Sequence, residues 1–96
     1  MSRRPADRYR HNPDVIETDL ERELILLDPA TQEMFSLNEM GRVVWRALVE
    51  HTAGDIVAMI VERHEVAAEQ AGADVRALIS GLVEAGLLIP ADADRA

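Results

Sequence analysis

The sharpest constraint on this chain is a change of period at Leu37. Just before it, "QEMFSL" (32–37) places Phe35 and Leu37 on one face and Met34 and Ser36 on the other, as the two-residue repeat of a strand demands. From that point Leu37, Met40, Val44 and Leu48 recur at helical spacing, flanked by Trp45 and Val49. A strand that passes into a helix with almost no loop has to be anchored against it, so the two share one core. "SLNE" fits a capping box with Ser36 as N-cap and Glu39 reaching back, while Asn38 competes as N-cap two residues later. Either choice predicts a helix ending near Glu50. Gly41 inside it costs about 1 kcal/mol against alanine; it either permits close approach of the strand layer or is simply tolerated.

Upstream, two further short runs read as strands. "DVIETDL" (14–20) alternates imperfectly, and "ERELILLD" (21–28) holds an apolar run from Leu24 to Leu27. "DPAT" (28–31) supplies the turn before the third strand, with Asp first and Pro next. Downstream, Thr52 and Asp55 form a cap pair for a second helix carrying Ile56, Met59, Ile60 and Arg63, and "HEV" (64–66) breaks it. A third helix runs from about Ala67 to Ala85 with Ala71, Val75, Leu78, Ile79 and Leu82 as its buried stripe. Gly86 suits the C′ position of that helix, and "LLIP" (87–90) packs back before Pro90 stops it. The expected architecture is α+β: a winged-helix-like βββααα order, with a three-stranded antiparallel meander packed on three helices.

Ninety-six residues, 48% of them hydrophobic, suit one domain with a single modest core. No run approaches the roughly 18–20 apolar residues of a membrane span, and the N-terminus lacks the apolar stretch of a secretory signal. With no cysteine there is no disulfide framework and no thiol chemistry, and a cytoplasmic home is the expectation. All ten basic residues are arginines, and four of them (Arg3, Arg4, Arg8, Arg10) fall in the first eleven residues. The rest of the chain sets 6 arginines against 17 acids, a net of −11. Residues 1–12 therefore read as a disordered basic arm, 13–90 as the folded domain and 91–96 as a flexible tail.

Catalysis needs a nucleophile or an acid/base pair oriented by neighbours, and none is legible. His11, His51 and His64 lie in the arm and at two helix ends without partners at ligand spacing, so no metal site is expected. The last two suit the favourable interaction of His with a helix C-terminus. No glycine-rich phosphate loop exists. The expectation is a protein that is not an enzyme, with no catalytic residues and no cofactor. The winged-helix outline raises DNA binding, but helix 67–85 offers only Arg76 against Glu69, Asp74 and Glu84. A body this acidic repels phosphate backbones, so no nucleic-acid partner is expected.

"ILLDPATQEMFSLNEMGRVVWRAL" (25–48) resembles the central signature of the PqqD-like family: an apolar strand, Asp and a turn, an aromatic before "LNE", then glycine and tryptophan in the helix. "DVRALISGLVEAGLL" (74–88) is similar to that family's closing helix and its Gly-Leu-Leu ending. The resemblance spans roughly residues 14–90. It implies a peptide-binding module of ribosomally synthesised, modified peptide pathways. Such a module holds the leader segment of a precursor peptide and presents the rest to a radical-SAM enzyme or a leader protease. It also implies where the leader docks: as an added strand along 32–37, in the cleft between that strand and the third helix. By this analogy the peptide-binding residues are Glu33, Met34, Phe35, Ser36 and Leu37 on the strand and Val75, Arg76, Ile79 and Val83 on the helix. Phe35, Leu37, Val75 and Ile79 also suit plain core positions. The alternative reading is an interaction or regulatory winged-helix domain for some other partner, with a DNA-binding factor a distant third.

Overall fold

The "DPAT" turn closes the hairpin on which the sheet is built. Asp28 Oδ1 accepts the Ala30 N–H at 3.0 Å, and Gln32 enters the left-handed region at φ 64° to hand the chain back. The computed structural model describes residues 8–91. Within it the order is β1 (Tyr9–His11), β2 (Ile16–Asp19), β3 (Leu24–Asp28), β4 (Glu33–Leu37), α1 (Glu39–Ala47), α2 (Ala53–Arg63), α3 (Ala68–Glu84) and β5 (Leu88–Pro90). Strands β2, β3 and β4 form the antiparallel meander in that order, and the three helices follow it as expected. A second, two-stranded sheet pairs β1 with β5, Tyr9 opposite Pro90 and His11 opposite Leu88.

That second sheet corrects the expected domain boundary. Residues 9–11, assigned above to a disordered arm, form a strand, because Asn12 N–H donates to Leu87 O and Ala91 N–H to Arg8 O, both at 2.9 Å. Seven residues at the N-terminus and five at the C-terminus lie outside the described part, and with them most of the expected arm and tail.

Each helix start has a local cause, except one. At α1 Asn38, not Ser36, is the N-cap: its Oδ1 accepts the Gly41 N–H at 2.8 Å, while Ser36 is still strand. The helix closes at Ala47, a turn earlier than expected, and Leu48 to Glu50 continue as turn. Thr52 and Asp55 make the reciprocal capping box of α2. No side chain caps α3 at Ala67. Its C-terminus is a Schellman motif: Leu87 N–H reaches Leu82 O at 2.9 Å, Gly86 N–H reaches Val83 O at 3.0 Å, and Gly86 takes φ 81°.

One core joins these elements. Leu24 and Leu26 from β3, Leu37 from β4, Val44, Trp45 and Leu48 from α1 and its turn, Ile56 and Ile60 from α2, and Val75, Ile79 and Leu82 from α3 are all buried in it. Each such aliphatic side chain contributes about 1.5–3 kcal/mol. The opposite face of the meander is open. Ile16, Leu27 and Met34 stand in one cross-strand row there, Ile16 exposed at 51% and Met34 at 65%.

Candidate functional site

In an antiparallel strand one residue directs both its N–H and C=O to one neighbour, and the next residue directs both to the other side. Two hydrogen bonds fix this alternation in the meander. Gln32 N–H donates to Asp28 O at 2.6 Å, so Asp28, Leu26 and Leu24 face β4. Leu20 N–H donates to Glu23 O at 2.9 Å, so Glu23, Ile25 and Leu27 face β2. The register sets Phe35 opposite Leu26 and Leu37 opposite Leu24, so these residues, with Glu33, direct their backbone groups to β3. Met34 and Ser36 point theirs outward. Among the described residues no strand pairs with that edge.

The expected site residues divide accordingly. Met34 and Ser36 are exposed and present the free edge, Glu33 is exposed at its start, and Phe35 is half-buried over the core. Leu37 is buried. On α3, Val75 and Ile79 are buried with Leu37 in the same core, and Val83 is half-buried against it. Arg76 is exposed, with its guanidinium folded back over Gly72: one Nη lies 3.3 Å from where a Cβ on Gly72 would stand. Among the described residues no carboxylate pairs with it.

The other sheet edge, β2, is differently built. Glu17 and Asp19 turn their side chains toward α1, opposite Leu26 and Leu24 in register. Trp45 Nε1 donates to Glu17 Oε2 at 3.0 Å, and Arg42 and Arg46 donate to Asp19 at 2.8–3.0 Å. Inward-pointing charges on an edge strand oppose the addition of another chain. The β4 edge has no such guard.

His11, expected to be solvated in an arm, stacks on the Trp45 ring at a centroid distance of 3.7 Å. Its Nε2–H donates to Trp45 O at 2.8 Å and its Nδ1 stands 3.7 Å from Glu17. No group of three His, Asp or Glu side chains among the described residues is arranged to hold a metal. No helix among them is long and apolar enough to cross a membrane.

The family profile for coenzyme PQQ synthesis protein D (PqqD) matches residues 23–88, from the edge of β3 into β5. The chain belongs to the PqqD family. No curated protein matches it. Among solved structures, a lasso peptide synthetase B1 in complex with its leader peptide superposes with a TM-score of 0.78 at 25% identity. That match covers 85% of this chain and 98% of the other. TbiB1 in complex with the TbiA(beta) leader peptide superposes with a TM-score of 0.76, also at 25% identity, covering 82% and 93%. Two of the structures this PqqD-family chain is similar to thus hold a peptide.

Proposed function

We propose that this protein is a non-catalytic recognition module that captures the leader segment of a precursor peptide by strand addition along β4. It then presents the remainder of that peptide to a modifying enzyme, either a radical-SAM protein or a leader protease. The observation that carries the reading is the free edge itself. Met34 and Ser36 offer N–H and C=O groups to a neighbour in a family member whose structural relatives were solved with leader peptides. Main-chain pairing supplies affinity in this mode and side-chain pockets supply selectivity. Of the apolar side chains expected at the site, the half-buried Phe35 and Val83 are accessible to the guest, while Val75 and Ile79 lie buried in the core beneath. Arg76, without a partner among the described carboxylates, is available to an acidic guest side chain.

Proline removes a backbone donor wherever it stands, and the alternation along β4 makes the effect directional. Met34→Pro deletes an outward N–H, so the domain should keep its circular dichroism spectrum while leader affinity falls at least tenfold. Phe35→Pro deletes a bond to β3 and should lower thermal stability instead. The measurement is fluorescence anisotropy with a labelled precursor leader peptide that the wild-type protein binds. A folded Met34→Pro variant that binds that leader as tightly as wild type would rule out strand addition at this edge.

A further inference from the structure

The open face of the sheet carries a charged group that the proposed docking mode does not yet use. Ser36 Oγ–H donates to Glu23 Oε2 at 2.7 Å, which holds the Glu23 carboxylate over the β4 edge on the solvent side of the sheet. None of the described arginines lies within ion-pair distance of it. Beside it on the same face Met34 is 65% exposed and ends the apolar row begun by Ile16 and Leu27.

A strand added along β4 places one guest residue directly opposite Met34 and another, two positions away, opposite Ser36. Directly opposed residues share a face, with Cβ atoms about 4.5–5.5 Å apart. This holds whether the guest runs parallel or antiparallel, because the side-chain period is two in either case. A guest residue opposite Met34 extends an apolar row, and one opposite Ser36 stands beside a fixed, uncompensated carboxylate. An arginine or lysine there spans the short gap to Glu23; an acidic residue meets like charge on an acidic body.

We infer that Glu23, positioned by Ser36, is a specificity-determining residue that selects a basic side chain in the guest, two residues from an apolar one read by Met34. This rests on strand addition at β4. The intervening guest residue faces the core side, toward Phe35, so the two faces of the guest are read separately: cation and apolar group on the open face, apolar or acidic group on the helix side.

The test pans a display library of random peptides, long enough to span β4, against the full chain as wild type, Glu23→Lys and Met34→Pro. Circular dichroism confirms that each is folded. Wild type should enrich Arg or Lys two positions from an aliphatic or aromatic residue. Glu23→Lys should keep the apolar position and shift the other to Asp or Glu. An individual basic peptide should bind Glu23→Lys about fivefold more weakly at low salt, with the difference shrinking as salt is added. If the enriched peptides are lost on Met34→Pro but bind Glu23→Lys unchanged, strand addition stands and the charge reading falls. If no enriched peptide depends on Met34, both fall.

Discussion

Asp19 shows how much one short side chain can hold together. Arg42 grips both its carboxylate oxygens, at 3.0 Å from Nε and 2.9 Å from Nη2, Glu21 N–H donates to it at 2.8 Å, and Arg46 adds a further bond at 2.8 Å. The Arg42 hydrogen bonds above all, then the Glu21 amide, keep the Asp19 carboxyl well below the usual carboxylate range; Arg42 is in turn held above its ordinary value, chiefly by Asp19. A carboxyl whose folded value lies below its unfolded value of about 4 adds stability that is fully present above that value. The contribution drains away as pH falls from about 4 toward the folded value. Asp19→Asn should therefore be less stable than wild type at pH 7, and the gap should narrow by about pH 3. Urea midpoints at the two pH values measure it, and a gap that widens in acid would contradict the assignment. Salt should also narrow the gap, since the cluster is partly exposed. None of this was legible in the sequence. Asp19 stands 23 residues from Arg42 and 27 from Arg46, and local pattern carries no record of partners at that distance.

The elements were more readable than their ends. Strands β3 and β4 and the three helices follow from hydrophobic period, because each shows a face to one core; β2 is exposed along its length and shows only an imperfect alternation. The sequence leaves Ser36 and Asn38 in competition because both match the cap pattern. Geometry decides for Asn38, since Ser36 is already paired with Ile25 in the sheet and its hydroxyl serves Glu23. Gly41 was equally undecided, and here its neighbours speak. A Cβ at Gly41 would stand 3.1 Å from Leu37 Cβ, an atom fixed where strand passes into helix. At Gly72 it would meet only the flexible guanidinium of Arg76, nearest atom at 3.3 Å. The same Gly→Ala change should thus have opposite signs in two helices. Gly72→Ala should raise stability by about 0.5–1 kcal/mol through helix propensity. Gly41→Ala should lower it by about 1 kcal/mol or more, because crowding outweighs that gain. Chemical denaturation of the two variants checks both signs. The site followed the same division. That strand 33–37 carries an edge follows from its last place in the expected three-stranded meander, but which of its residues face outward needed the Gln32–Asp28 and Leu20–Glu23 hydrogen bonds.

At the scale of the molecule, the first and last described strands, β1 and β5, pair with each other, a feature that local pattern does not reveal. "YRH" offers no hydrophobic alternation and sits among arginines, so composition assigns it to a solvated arm. In the fold its backbone pairs with β5, which α3 and its Schellman turn deliver to the right place, and its His11 ring covers Trp45. Asn12 N–H and Arg8 O both face β5, so by alternation Arg10 faces it too, opposite Ile89. The Arg10 side chain is exposed, whereas its N–H belongs to the ladder. Arg10→Pro consequently separates the two descriptions of this segment. In a solvated arm the substitution would leave the unfolding midpoint where it was. In a strand it deletes a ladder bond and puts a ring where β5 should approach, for a loss of about 1–3 kcal/mol. Trp45, the only tryptophan, reports the unfolding directly by fluorescence. A lowered midpoint is the expected result, together with a red-shifted native emission as the His11 stack loosens. An unchanged midpoint and spectrum would return residues 9–11 to the arm and leave Trp45 to be covered by some other group.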